Sequence, residues 1–217
     1  MKQGVSAAIA HGTVALDSVL NVNYGVVWVA VRKTNATGFT LVELMAVVAI
    51  AGVLLLVAAP AFQTQIQNSR ISSAATGLLS SFMFAKSEAV GRNNFVTVCK
   101  RNTAGSGCVT TGGWEQGWIV FTDTDNSAGV NGTDTILQIK EPLAEGVTAR
   151  GTTTPAPGIA NFITYRPNGL TNLTATQTLL ICDERGFGEN ARGLIVSLLG
   201  KASILRATET TRTACPI

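Results

Sequence analysis

The chain is short of charge and nearly empty of histidine. Only 13% of its 217 residues are charged, against about 25% in an average soluble domain. The single histidine is His11. One imidazole excludes most zinc sites, histidine-based triads and proton relays. There is no Gly-x-Ser-x-Gly elbow, no phosphate loop and no Cys-x-x-Cys pair, and most carboxylates are scattered. These absences argue against an enzyme and against a cofactor or resident metal. The formal net charge of +3 is too small to imply nucleic acid by itself. What is present is apolar: 46% hydrophobic residues and a mean hydropathy of +0.31 exclude a disordered or strongly electrostatic protein.

Apolarity and charge are unevenly placed. Residues 1–38 carry Lys2, Arg32 and Lys33 against Asp17, and the rest carries 13 basic and 12 acidic side chains. Most of the excess charge therefore precedes Phe39. The first 38 residues show no consistent helical or strand period and read as a segment placed ahead of a fold. Residues 44–62 are 19 in a row without a charge. The stretch 39–62 would be about 36 Å long as a helix, enough for a hydrocarbon core of about 30 Å with some tilt. Arg32 and Lys33 just before it predict a cytoplasmic N-terminus, with the bulk of the chain outside. Glu43 is the one carboxylate in this segment. A carboxylate there is costly without a partner, and a free amine at Phe39 would supply one.

Gly38-Phe39-Thr40-Leu41-Val42-Glu43 resembles the class III signal of type IV pilins and type II secretion pseudopilins. The resemblance implies that prepilin peptidase cuts between Gly38 and Phe39, that Phe39 is N-methylated, and that Glu43 directs assembly by pairing with a neighbour's terminal amine. Pro60 stands where the family's first helix commonly kinks or melts. Family leaders are usually short, and 38 residues is long. A start at Val31 would leave an ordinary basic leader, so Val31 is a candidate translation start.

Beyond Phe62, the residues Ile71, Ala75, Leu78, Phe82, Ala85 and Ala89 form a helical stripe. They predict a core face against a following sheet. One helix is expected from about residue 40 to about residue 91, roughly 75–80 Å, stopped by Gly91 and Asn93-Asn94. From Phe95 the period shifts towards two. Candidate strands are 95–100, 117–122, 135–141, 147–150, 161–166, 178–183, 194–199 and 202–206, spaced like an antiparallel meander or small sandwich. The expected fold class is α+β and pilin-like, a long helix on antiparallel sheets. Its divisions are a leader (1–38), a transmembrane and assembly helix (39–62) and a periplasmic domain (63–217). That domain comprises an amphipathic helix (63–91) and a β region (95–217).

Four cysteines outside a membrane argue for disulfides. Of three pairings, Cys99–Cys108 would clip a Gly-rich turn and Cys182–Cys215 would pin the C-terminal tail. The alternative leaves Cys215 free. The aspartates Asp123, Asp125 and Asp134 crowd one loop with Asn126 and Asn131. Asp123 and Asp134 hold the first and twelfth places of a calcium loop, but Ala128 stands where its glycine should be. A hairpin rich in turn formers is the preferred reading.

The stretches Ser87-Glu88-Ala89-Val90-Gly91-Arg92, Gly112-Gly113-Trp114-Glu115-Gln116-Gly117-Trp118 and Cys182-Asp183-Glu184-Arg185-Gly186 extend the resemblance. They look like the GspH/FimT group of minor pseudopilins and minor pilins. Trp114 and Trp118 read as packing at a strand entry rather than as a site. The resemblance implies a structural subunit, near the tip, of a type II secretion pseudopilus or a type IV pilus, held first in the inner membrane. The implied partners are other pilins or pseudopilins, prepilin peptidase, an inner-membrane assembly platform, and lipid before assembly. The alternative is a DNA-binding minor pilin. Some relatives use Gly-Arg-x-Arg for this. Here Lys201 and Ser203 replace the arginines, with Arg206 and Arg212 nearby.

Overall fold

A computed structural model describes residues 6–10, 13–17, 20–22, 25–27, 38–210 and 214–215. It describes the backbone alone for the first four segments and for 56–61. The positions of His11, Val31 and Arg212 lie outside the described residues. The chain divides into two units, Met1–Val53 and Leu54–Ile217.

In the first unit, β1 (Ser6–Ala10) pairs antiparallel with β2 (Thr13–Asp17), and β3 (Leu20–Val22) with β4 (Gly25–Val27). The reading of 1–38 as lacking a consistent helical or strand period is corrected for these stretches. Ser6–Ala10 and Gly25–Val27 carry no regular alternation of polar and apolar residues.

Helix α1 spans Leu41–Arg92. Its end is set by Asn93, whose φ of +52° is left-handed. The Asn94 N–H then donates back to the Ala89 carbonyl at 3.2 Å. Gly91 lies inside the helix and is not part of the stop, contrary to expectation. The six stripe residues from Ile71 to Ala89 are all buried.

The β region forms two four-stranded antiparallel sheets. The first contains β5 (Val96–Lys100), β6 (Trp118–Thr122), β7 (Ile136–Lys140) and β9 (Phe162–Tyr165), in the order β7-β6-β5-β9. The second contains β8 (Thr148–Arg150), β10 (Gln177–Cys182), β11 (Arg192–Val196) and β12 (Ala202–Arg206), in the order β12-β11-β10-β8. Neither is a plain meander. After three consecutive strands the chain crosses to lay β8 beside β10, then returns to lay β9 beside β5. Partner choice for such strands is made by packing, not by local pattern. The strand expected at 194–199 begins and ends earlier. Gly200, at φ +71°, closes a turn in which its N–H bonds the Ser197 carbonyl and Ser197 N–H bonds Lys201.

One core joins α1 to both sheets. Phe82 and Leu78 meet Val98, Val120, Ile163 and Leu194 there. β5 and β6 are buried on both faces, because Cys99, Ile119 and Phe121 form a second cluster beneath the 123–135 loop. Trp114 and Trp118 are both core residues. The Trp114 ring meets Phe82 edge-on at 5.6 Å, and its Nε1 donates to the Ile159 carbonyl at 3.0 Å.

Candidate assembly site

Thr40 opens α1. Its Oγ1 accepts the Glu43 N–H at 3.2 Å, and its carbonyl accepts the Leu44 N–H at 3.1 Å. The Thr-x-x-Glu spacing is that of a capping box, and Glu43 complements the positive end of the helix dipole. Among the described residues the Glu43 carboxylate has no partner. Leu41, Val42, Leu44, Met45, Val47 and Val48 fill two successive turns and are each more than half exposed. A helix apolar on every side requires an apolar medium or neighbouring helices. Among the described residues no helix is long and apolar enough to cross a membrane. The span expected over 39–62 is therefore not matched within them. The described side chains from 41 to 55 cover only about 22 Å, and those of 56–61 are outside the description.

Two disulfides bind the rest of the molecule. Cys99 is joined to Cys108, 9 residues on, and Cys182 to Cys215, 33 residues on. The second brings the tail over Leu180, Ala191 and Ala207 on the outer side of the second sheet.

The Gly-Gly-Trp-Glu-Gln-Gly-Trp stretch is a structural clamp. Lys100 is buried, and its Nζ donates to the carbonyls of Thr110 at 3.1 Å and Gly112 at 2.9 Å. Burial, with Arg150 nearby, holds this ammonium below its ordinary 10.5, while Glu115 opposes the shift. Glu115 pairs with Arg150 and accepts the Ala149 N–H at 3.1 Å, tying the clamp to β8. Sequence reasoning missed Lys100. Strand alternation was the available signal, since it puts residue 100 on the inward face with Val96 and Val98.

Asp123, Asp125 and Asp134 converge, each offering an oxygen within 4.8 Å of the others. They are already engaged. Asp123 accepts Thr97 Oγ1 at 2.6 Å and the N–H groups of Ser127 and Ala128. Asp134 accepts from Thr124 and Asn131. The loop is a hydrogen-bonded lid on the Cys99, Ile119 and Phe121 cluster.

The two described basic residues of the alternative reading are not brought together. Lys201 precedes β12 and Arg206 ends it, five positions apart, so strand alternation sends them to opposite faces. Lys201 instead lies beside Lys86 on α1, at a groove also lined by Met83, Val90 and Gly91.

An apolar helical head bearing Glu43, an amphipathic continuation and two antiparallel sheets packed on that continuation make a pilin-like α+β fold. Residues 74–200 match the family described as Type II transport protein GspH. Residues 33–59 match the prokaryotic N-terminal methylation motif. The chain belongs to the GspH family, and its role is that of a minor pilin or pseudopilin, a membrane-anchored structural subunit that assembles with other pilins in a filament.

No curated protein matches the chain. Among solved structures it is similar to the type IV minor pilin FimU of Pseudomonas aeruginosa (strain PAO1). That likeness has 18% identity and a TM-score of 0.51, over 68% of this chain and 93% of that one. It shows the fold. The minor pseudopilin EpsH from the type 2 secretion system of Vibrio cholerae is also similar. There the identity is 11% and the TM-score 0.41, over 64% of this chain and 99% of that one.

Proposed function

We propose that this chain is made as a prepilin, cut between Gly38 and Phe39 by prepilin peptidase and methylated at Phe39. It waits in the bacterial inner membrane as a single-pass protein, with its N-terminus cytoplasmic and residues 63–217 periplasmic. The helix over 39–62 then leaves the lipid, through an inner-membrane assembly platform, to pack among the helices of a pseudopilus or type IV pilus. There Glu43 neutralises the terminal amine of Phe39 on a neighbouring subunit. The observation that carries this reading is the Gly38–Glu43 motif heading a helix whose apolar side chains are uncovered all round. In lipid or within a helix bundle a carboxylate at residue 43 is stable only when matched by a positive charge. The cut provides that charge as a new amine.

Glu43→Ala is expected to keep membrane insertion and lose incorporation. Sheared filaments from cells carrying that variant should contain it at a small fraction of the wild-type level, with equal amounts in the membrane. Normal incorporation would refute the role of Glu43. Mass spectrometry of an uncleaved precursor tests the leader: peptides from residues 1–30 would rule out a start at Val31.

A further inference from the structure

The second sheet ends at β12, and its outer edge is open. Ser197 N–H bonds the Lys201 carbonyl and Ala207 N–H bonds the Ala191 carbonyl. With β11 and β12 in the register Leu194↔Ile204, Ser203 and Leu205 exchange hydrogen bonds with β11. The N–H and C=O groups of Ala202, Ile204 and Arg206 therefore point away from the sheet. Among the described residues nothing pairs with them. The outer edge of β9, by contrast, is covered by Thr171 and Asn172. The edge strand β7 is interrupted by a bulge against β6, a feature that blunts pairing.

Beside the open start of β12 runs a groove of about 630 Å³ between the strand and the last turns of α1. Its helix wall presents Met83 and Val90, 59% and 51% exposed. Its cationic groups are Lys86 and Lys201, and among the described residues no carboxylate lines it. Lys86 is held in place by donating to the Leu199 carbonyl at 3.2 Å. The glycines at 169 and 200 let the turns close on it: a Cβ at Gly200 would lie 2.2 Å from the Gly169 carbonyl oxygen. Among the described residues, an unpaired strand edge, an exposed apolar wall and two cations without acidic partners thus share one cleft.

We propose that this groove receives an extended segment of a neighbouring filament subunit, added to β12 as a fifth strand. The segment bonds the outward groups of Ala202 and Ile204, sets an apolar side chain on Met83 and Val90, and brings a carboxylate to Lys86 and Lys201. Strand addition takes its affinity from the main chain and its selectivity from the side chains over the groove. The proposal rests on the reading of the chain as a filament subunit and names the surface by which its folded part recognises the next one.

The test is photocrosslinking in the producing bacterium, with a benzophenone amino acid at Val90 of the full chain. The expected product joins residue 90 to a segment of another pilin-type subunit that carries Asp or Glu within two residues of a large apolar side chain. Lys201→Glu reverses an exposed charge and should lower the yield at least about fivefold. Ala202→Pro removes an outward N–H while sparing the ladder to β11, and should lower it similarly without moving the melting temperature. A crosslink to lipid or to a second copy of this chain overturns the proposal. So does a yield indifferent to Ala202→Pro. Chain present in sheared filaments without a Val90 crosslink overturns the groove and leaves the filament reading standing. Chain absent from filaments overturns that reading as well.

Discussion

Phe82 and Met83 are neighbours in sequence with opposite surroundings. Phe82 is wholly buried, with its ring against Trp114 at 5.6 Å and 70°, whereas Met83 is 59% exposed. Phe82→Ala removes a ring that both sheets and α1 enclose, at a cost of about 3–5 kcal/mol. About 0.5–1.5 kcal/mol of that belongs to the edge-on ring pair. Phe82→Leu, which keeps most of the volume and loses the pair, should cost about 1–1.5 kcal/mol. Met83→Ala should stay within about 0.5 kcal/mol of wild type. Against a total of about 5–15 kcal/mol, the first change removes a large share of the stability. Urea unfolding of the detergent-solubilised chain, followed by tryptophan emission, measures all three. A loss below about 1 kcal/mol for Phe82→Ala, or equal losses at 82 and 83, would refute the register assigned to α1.

Three further outcomes are expected. Gly117 has a φ of +93° and its Cβ would lie 2.4 Å from the Lys140 carbonyl oxygen, whereas Gly146, at φ +83°, faces open space. Gly117→Ala should therefore lower the melting temperature clearly more than Gly146→Ala, and equal shifts would contradict the close approach. Replacing Cys182 and Cys215 together by alanine frees a loop of 33 residues, which the chain-entropy relation values at about 3.7 kcal/mol. A loss under about 1 kcal/mol by chemical denaturation would show that the tail is held by other means. Burial raises the Asp123 carboxyl above its ordinary 3.8, against the hydrogen bonds from Thr97, Ala128 and Ser127, with Asp134 adding to the rise. The folded chain then holds this proton in a window above pH 3.8 where the unfolded chain has released it. Its contribution to stability is present below 3.8 and falls as pH rises through that window. The stability difference between wild type and Asp123→Asn should follow that course, and a flat difference would disprove it.

Legibility followed the range of the forces. The buried stripe of α1 is written in steps of three and four, because a helix carries its own period whatever it packs against. Most strands were legible for the same reason at period two, within a residue or two at their ends. The β11 boundary was not, because it depends on Gly200 closing a turn beneath Lys86. In the first unit β1 and β4 lack the polar and apolar alternation that marks a strand. The candidate assembly motif was legible because it is contiguous. The groove was not: Lys86 and Val90 lie more than a hundred residues from Lys201, and nothing local links them.

The sequence alone shows an apolar head bearing one carboxylate, an amphipathic helix and a β region with four cysteines, and its likeness to pilins is carried by the Gly38–Glu43 motif. Those are properties of composition, spacing and covalent chemistry. Only the tertiary structure decided that β8 and β9 exchange sheets, that Lys100 is buried with its Nζ bonded to the carbonyls of Thr110 and Gly112, and that β12 is left as an open edge beside two lysines. Those outcomes depend on which distant surfaces exclude water from one another. That choice is made by the packed core as a whole, and no window of the sequence contains it.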